Sequence, residues 1–142
     1  MSWGGIKRTP GDAAFSACVR EANDYICQKC GINLRHNPRA MHLSHFYGRR
    51  GKSTRWDKLN GFCMCAACHT WLGEHPHEHS LLVKDIIGSG AFDMLTFKAH
   101  TPYKMTKGED KEIAKHYKEQ LKQIQKQRAE GKTGYIDFMS YQ

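Results

Sequence analysis

Two pairs of cysteines in this sequence have the spacing of a metal site. Cys27 and Cys30 form one Cys-x-x-Cys unit, and Cys65 and Cys68 form another. A tight turn points both sulfurs of such a unit the same way, so two units can complete a tetrahedron of thiolates around one Zn²⁺. A redox-active unit or simple buried thiols are the alternatives. The spacing favours a structural zinc ion, and a folded segment must then occupy residues 31–64 between the two units.

The charge balance of the chain predicts an anionic partner. Its 142 residues include 22 Lys and Arg against 14 Asp and Glu, a formal net charge of +8, and the pI is 9.3. Such a balance is typical of proteins that bind nucleic acid or a lipid surface. A mean hydropathy of −0.69 and the absence of a long apolar run exclude a membrane-spanning helix. Met1–Gly5 lacks the features of a signal peptide, which together with the zinc-type cysteines predicts a cytoplasmic protein.

A hairpin and several helices are predicted to position these cysteines. Thr9 suits an N-cap and Pro10 a first helical position, which predicts a helix over residues 10–23. Residues 39–47 and 59–64 predict two strands joined by a basic loop. Four further helices are predicted: one from Cys65 to Gly73, one over 79–87, one over 91–99 with Ser89 as its N-cap, and one over 108–130.

The last helix and the residues after it are predicted to form a separate C-terminal part. Acidic residues begin the segment 108–130 and basic residues end it, as the helix dipole favours. Its apolar stripe is thin, so its polar face is either an ordinary solvated surface or a DNA contact. Residues 135–141 are too apolar for a free end and are expected to pack on the body or on another chain. We therefore predict two domains, one over 1–107 and a basic helix with an aromatic tail over 108–142.

Three further residues have a spacing that could do hydrolytic chemistry. His45 lies in the first predicted strand, Asn60 lies where the loop returns, and His69 directly follows Cys68. Neighbours on a helix point about 100° apart, so Cys68 can face a zinc ion while His69 faces a different ion. This arrangement resembles the HNH or ββα-metal nuclease motif, in which a hairpin and a helix surround one divalent ion. Zinc-stapled members of that family also carry two cysteines after the Asn, with the spacing that Cys65 and Cys68 have here.

A wider set of residues is similar to a bacteriophage HNH group related to the NinG or Rap recombination endonucleases. The similarity covers residues from about 12 to 100. It is carried by Phe15-Ser16, Val19-Arg20, the Cys-Gln-Lys-Cys-Gly segment at 27–31, Ser44-His45-Phe46-Tyr47-Gly48-Arg49-Arg50, Ser53-Thr54-Arg55-Trp56-Asp57 and Cys68-His69-Thr70-Trp71-Leu72-Gly73. The resemblance implies an α+β fold with a small zinc-stapled ββα-metal (HNH) core, and it makes 1–107 the nuclease domain. The predicted elements add flanking helices and a long C-terminal helix to that core.

The resemblance implies hydrolysis of a DNA phosphodiester bond with one Mg²⁺ or Mn²⁺ ion. His45 would be the general base, His69 a ligand of the divalent ion, and Asn60 the residue that orients the loop and the base. The implied substrate is branched DNA, such as a Holliday junction or a D-loop. A homodimer would suit a junction with paired scissile strands. A phage-encoded chain would act in the host cytoplasm.

One position departs from the family pattern and leaves the second metal ligand open. Many members carry Asp or His directly before the base, where this sequence has Ser44, whose neutral hydroxyl is a poor ligand. His42 lies two residues earlier and in a regular strand points to the same face, so it is our candidate second ligand for the catalytic ion. Further candidates downstream are Glu74, His75, His77, Glu78 and His79. A two-histidine site would favour Mn²⁺, Co²⁺, Ni²⁺ or Zn²⁺ over Mg²⁺.

The basic loop between the predicted strands offers candidate DNA contacts. A guanidinium can hold two phosphate oxygens through parallel N–H bonds. Arg49, Arg50 and Arg55 are therefore predicted to bind phosphate, with intramolecular salt bridges as the alternative.

Two other functions stay open beside the recombination nuclease. A site-specific HNH endonuclease of homing or restriction type would cut linear duplex at one sequence. A catalytically inactive, zinc-stapled DNA-binding protein would bind DNA without a divalent ion and would be indifferent to His45→Ala. Ser44 is the residue that favours this last alternative.

Overall fold

The computed structural model describes residues 6–142, which form five α-helices and one two-stranded antiparallel sheet. In chain order these elements are α1 (Pro10–Ala22), β1 (Met41–His45), β2 (Gly61–Cys65), α2 (Ala66–Glu74), α3 (Pro76–Ile87), α4 (Ser89–Ala99) and α5 (Glu109–Ala129). The predicted α+β class is confirmed. Residues 1–5, on which the prediction of no signal peptide rests, lie outside the described residues.

Helix α1 begins where the sequence predicts. The Thr9 hydroxyl accepts a hydrogen bond from the Asp12 backbone N–H at 3.1 Å, and the Asp12 carboxylate accepts one from the Thr9 N–H at 2.9 Å. This capping box satisfies two of the free N–H groups at the helix start. The buried face of the helix includes Phe15, Cys18 and Val19, which lie in the hydrophobic core.

The two strands form the predicted hairpin. Strand β1 is two residues shorter than predicted at each end, and β2 begins two residues later and ends one residue later than predicted. In the antiparallel register Met41 pairs with Cys65, and His45 pairs with Gly61. Short 3-10 turns over Pro38–Ala40 and Lys58–Asn60 occupy the positions before each strand. The sheet packs against α1 at Gly61, where a Cβ atom would lie 2.8 Å from the Phe15 ring. The hairpin can approach α1 this closely only because position 61 has no side chain.

The helices after the hairpin differ from the prediction at three boundaries. Helix α2 continues through Gly73 and ends at Glu74, so Gly73 is not its stop signal. Helix α3 begins at Pro76, earlier than predicted, since proline suits the first helical position. The N-cap of α4 is Gly88 rather than Ser89, and its φ of +87° is one that glycine adopts without strain.

Helix α5 and the residues after it pack on the rest of the chain. Tyr117 of α5 lies with its ring centroid 4.9 Å from that of Phe15 on α1. In the tail, Ile136 and Phe138 are buried, and the Ile136 N–H donates to the Ala22 carbonyl at 2.9 Å. The two parts predicted as separate domains thus share one hydrophobic core. No helix in the described part of the chain has the length and apolar character needed to cross a membrane.

Candidate functional site

The four predicted zinc ligands come together at one point of the structure. The sulfur atoms of Cys27, Cys30, Cys65 and Cys68 all lie within 4.8 Å of one another. The Cys30 and Cys65 sulfurs are 3.8 Å apart. Four thiolates around a tetrahedral Zn²⁺ at about 2.3 Å have sulfur–sulfur distances of about 3.8 Å. The cluster is therefore a potential metal-binding site whose geometry is consistent with structural zinc.

Local backbone geometry aims these sulfurs at one another. The Gly31 N–H donates to the Cys27 carbonyl at 2.9 Å, and the φ of Gly31 is +80°, which closes the first turn tightly. Cys65 is the N-cap of α2, and Cys68 lies one turn further on the same helix face. Burial raises the pKa of the Cys27 thiol, but hydrogen bonds from the backbone amides of Cys30, Cys65 and Lys29 outweigh it and bring the pKa to about 7. Those amides thus favour the thiolate, which is the form that binds metal.

A second, separate pair of metal-ligand side chains lies beside the hairpin. His42 of β1 and His69 of α2 have their Nδ1 atoms 3.2 Å apart. Two imidazoles that bind one ion at about 2.1 Å place their nitrogens about 3.0 to 3.4 Å apart in octahedral or tetrahedral geometry. Burial and the neighbouring His42 lower the pKa of His69, so it is held in the neutral form that a ligand needs. The distance between the two nitrogens and the lowered pKa of His69 fit a shared divalent ion.

Two buried polar groups lie near this histidine pair. Ser44 stands between His42 and His45 on β1, is 1% exposed, and its hydroxyl has no hydrogen-bond partner among the described residues. His79 of α3 is 9% exposed, its Nε2 is likewise unpartnered, and burial and His69 lower its pKa. Within residues 6–142, the cysteine cluster is the one group of three or more ligand side chains whose ligand atoms are mutually within 4.8 Å. The histidine pair therefore has two protein ligands in this geometry, and phosphate or solvent oxygens would have to complete the coordination.

The predicted general base is held by one hydrogen bond in a defined tautomer. His45 Nε2 lies 2.9 Å from the Arg55 carbonyl oxygen, which can only accept, so Nε2 carries the proton and Nδ1 keeps its lone pair. Burial lowers the pKa of His45; the Arg55 carbonyl and the Asp12 carboxylate act in the opposite direction without cancelling that effect. At neutral pH the imidazole is uncharged and can accept a proton at Nδ1.

Asn60 joins the two ends of the loop between the strands. Its side chain is fully buried, and its Oδ1 accepts from the Tyr47 N–H at 2.7 Å. Its Nδ2 donates to the carbonyls of Tyr47 at 2.8 Å and Thr54 at 3.0 Å. All three bonds are to backbone groups, so Asn60 fixes the path of the loop. Thr54, one of its partners, directly precedes Arg55, whose carbonyl contacts His45. The orienting part that the family resemblance implies for Asn60 stays a prediction.

An open cleft of about 680 Å³ brings the histidines and several arginines together. His42, His45 and His69 all line it. The arginines that line it are Arg8, Arg20, Arg39 and Arg49. Of the three predicted phosphate contacts only Arg49 is among them, while Arg50 lines a neighbouring pocket beside Gly48. The other three arginines are not among the phosphate contacts predicted from the sequence. Two of them, Arg8 and Arg20, belong to α1 or the residues before it and reach the cleft only because α1 packs on the hairpin.

Arg55 has a different place from the one predicted. It is 5% exposed, and its guanidinium forms a salt bridge with the buried Asp12, with Nε 2.9 Å from Oδ1. The Trp56 indole N–H donates to the same carboxylate oxygen at 3.0 Å. Burial raises the pKa of Asp12, but hydrogen bonds from Arg55 and from Thr9 outweigh it and leave the pKa lowered. A guanidinium that is buried and paired is not available to phosphate, so the prediction of a DNA contact at Arg55 is wrong.

Comparisons with known proteins give no family for this chain. No family model matches it, and neither the curated proteins nor the solved structures contain a significant match. The resemblance to HNH nucleases therefore stays a prediction.

Proposed function

We propose that this protein is a metal-dependent DNA endonuclease of the ββα-metal type. The observation that carries the proposal is the meeting of His42, His45 and His69 in one arginine-lined cleft. A hairpin and the following helix supply all three, in the order that the family resemblance implies. The proposed reaction is hydrolysis of a phosphodiester bond.

His45 is the proposed general base. Its Nδ1 takes a proton from a water molecule, and the oxygen of that water attacks phosphorus as the bond to the leaving oxygen breaks. The Arg55 carbonyl keeps the other ring nitrogen protonated, so the same tautomer is ready for each turnover. Asn60 holds the loop that presents this carbonyl.

His42 and His69 are the proposed ligands of a catalytic divalent ion. Such an ion would stabilise the negative charge of the scissile phosphate and of the leaving oxygen. Imidazole ligands favour Mn²⁺, Co²⁺, Ni²⁺ or Zn²⁺ over Mg²⁺, because these ions bind nitrogen more strongly. We expect Mn²⁺ to support faster cleavage than Mg²⁺ at equal concentration.

The cleft arginines are the proposed phosphate contacts. Arg8 and Arg39 are exposed, and neither forms an ion pair within the described part of the chain. Their charges are therefore available to a DNA backbone that passes the histidines. Branched DNA is the substrate class that the NinG or Rap resemblance suggests, and an open cleft is compatible with a bulky junction. The four-cysteine cluster is proposed to bind a structural zinc that fixes the start of α2, and with it His69.

Cleavage of a labelled plasmid and a labelled four-way junction tests the proposal. Wild type and His45→Ala are compared in EDTA, Mg²⁺ and Mn²⁺, with His36→Ala as the matched control because His36 lies on an exposed turn. Metal-dependent cutting should fall about 10²–10⁴-fold in His45→Ala alone. Preference for the junction over linear duplex would support the recombination nuclease, and cutting at one duplex sequence would support a site-specific enzyme.

A DNA-binding protein without nuclease activity is the second candidate. The observation that favours it is Ser44, whose hydroxyl stands where a stronger metal ligand is expected. Tight DNA binding by wild type in every metal, without cutting and without any effect of His45→Ala, would refute the nuclease and establish this candidate.

A further inference from the structure

The C-terminal tail, here residues 134–142, contacts the loop that carries the partner of the base. This base loop is defined as residues 52–58, which run into the 3-10 turn before β2. The Gln142 side chain accepts from the Trp56 N–H at 3.0 Å and donates to the Lys52 carbonyl at 2.6 Å. The Ser140 hydroxyl accepts from the Lys58 N–H at 3.0 Å. Both ends of the base loop are thus bonded to the tail.

One peptide group lies between Gln142 and His45. The carbonyl that accepts from His45 Nε2 belongs to Arg55, and the N–H that donates to Gln142 belongs to Trp56, so the two are the two sides of a single planar peptide unit. A hydrogen bond on the N–H fixes the plane of that unit and therefore the direction in which its carbonyl points. It also polarises the carbonyl and strengthens the bond that it accepts.

Other contacts to this part of the loop act on different groups. Asp12 binds the side chains of Arg55 and Trp56, and the Tyr117 hydroxyl donates to the Trp56 carbonyl, which belongs to the next peptide unit. Among the described residues, Gln142 supplies the hydrogen bond to the N–H of the unit that His45 contacts. Its amide is itself fixed at both ends, so it is a rigid support.

We propose that Gln142 is a positioning residue for His45, which holds the Arg55–Trp56 peptide unit so that its carbonyl keeps the His45 imidazole in one tautomer and orientation. The inference rests on the proposed nuclease function for its catalytic consequence. It gives the tail a part in the active site, although Gln142 itself would touch neither substrate nor metal.

Two substitutions and a control test this inference. Gln142→Met keeps the length of the side chain and removes both hydrogen bonds, and Gln142→Glu keeps the acceptor toward the Trp56 N–H. Gln123→Ala is the control, since Gln123 lies on the exposed surface of α5 and its side chain contacts Glu119 of the same helix. The readouts are kcat and KM for Mn²⁺-dependent cleavage, and the ¹⁵N shifts of the His45 ring nitrogens in the full chain.

We expect Gln142→Met to lower kcat about five- to tenfold, the effect of losing the hydrogen bond to the Trp56 N–H, with KM unchanged. Gln142→Glu should recover part of that loss, and the ¹⁵N shifts should change from one tautomer to a mixture in Gln142→Met only. A wild-type kcat and a single tautomer in Gln142→Met would overturn the inference while leaving the nuclease intact. If wild type does not cut DNA, the nuclease proposal fails, and the ¹⁵N shifts alone then decide whether Gln142 positions His45.

Discussion

Replacing Arg55 by methionine separates a structural role of this residue from DNA contact. Arg55→Met removes the guanidinium but keeps most of the apolar stem, so the carboxylate of Asp12 loses its hydrogen-bonded cation without a large cavity. The remaining cation is the partly exposed Arg49, whose Nη1 lies 3.8 Å from Asp12 Oδ2. Asp12 is 4% exposed and keeps the hydrogen bonds from the Trp56 indole at 3.0 Å and from the Thr9 N–H at 2.9 Å. The variant therefore measures how much the free energy of unfolding falls when the buried Asp12 carboxylate loses part of its hydrogen bonds.

The expected loss of stability is large for a single substitution. Breaking a buried ion pair by removing one partner costs about 3–5 kcal/mol. The two remaining hydrogen bonds of Asp12 and the Arg49 guanidinium 3.8 Å away place the expected loss at the lower end, about 3 kcal/mol. Unfolding entropy is about 2 cal/mol/K per residue, so for 142 residues this corresponds to a fall in Tm of about 10 °C.

The loss should also depend on pH. In wild type the folded-state pKa of Asp12 is lowered, so its contribution is present above the unfolded value of about 3.9 and is lost as the pH falls toward the folded value. In Arg55→Met the burial that raises the pKa of Asp12 is no longer offset by the guanidinium. The folded variant can then protonate Asp12 at a higher pH than wild type can. The difference in the free energy of unfolding between the two proteins should therefore shrink as the pH falls from 7 toward 4.

Urea unfolding at several pH values and DNA binding at several salt concentrations measure both effects. Arg39→Met is the matched control, because Arg39 is exposed and lines the cleft. We expect it to leave the free energy of unfolding unchanged and to reduce the salt dependence of DNA binding by about one phosphate contact. If Arg55→Met were as stable as wild type within about 1 kcal/mol but lost salt dependence instead, the assignment of Arg55 to the interior would be wrong.

Three further predictions concern packing, the cysteines and the base. Gly61→Ala should destabilise the fold by about 1–3 kcal/mol in thermal unfolding, because its Cβ would lie 2.8 Å from Phe15; Gly73→Ala, with open space around it, should not destabilise it. Native mass spectrometry should find one Zn²⁺ per chain in wild type and in Cys63→Ala and none in Cys68→Ser, and zinc retention by Cys68→Ser would contradict the site. The acid limb of kcat/KM should lie below pH 6.5, since activity needs neutral His45 and its pKa is lowered; a limb at or above 6.5 would count against His45 as the base.

Features encoded by short sequence spacing could be predicted well. The N-cap at Thr9 and the two sulfurs within each Cys-x-x-Cys unit depend on residues no more than three apart, so local backbone geometry alone brings the partners together. The length of the segment between the cysteine pairs required a folded insert, and the β1–β2 hairpin occupies it. His42 was a candidate ligand because alternate strand residues share a face, and its Nδ1 lies 3.2 Å from that of His69.

Features that depend on distant partners could not be predicted. Arg49 and Arg55 look alike in the sequence, and both lie near Asp12, but only Arg55 is buried and hydrogen-bonded to that carboxylate, which stands 43 residues earlier. The side chain of Gln142 contacts a backbone N–H 86 residues earlier, and neither residue type indicates that pairing. The end of α2 beyond Gly73 was missed because a glycine can continue a helix. The end of α3 at Ile87 was predicted, but that Gly88 also caps α4 was not, since a glycine can serve both helices and only the neighbouring turn decides.

The docking of α5 on α1 has a consequence for the order in which the chain folds. The Gly11 N–H donates to the Asp110 carboxylate across 99 residues of sequence. Closing a loop of that length costs about 4 kcal/mol of chain entropy, against about 2.5 kcal/mol for the turn between the strands. We therefore expect the hairpin and α2 to assemble first, with α1 and α5 joining late. Destabilising substitutions in α5 would then speed unfolding while leaving the folding rate almost unchanged. The half-life of the native state would therefore depend on a helix that contributes no residue to the lining of the histidine cleft.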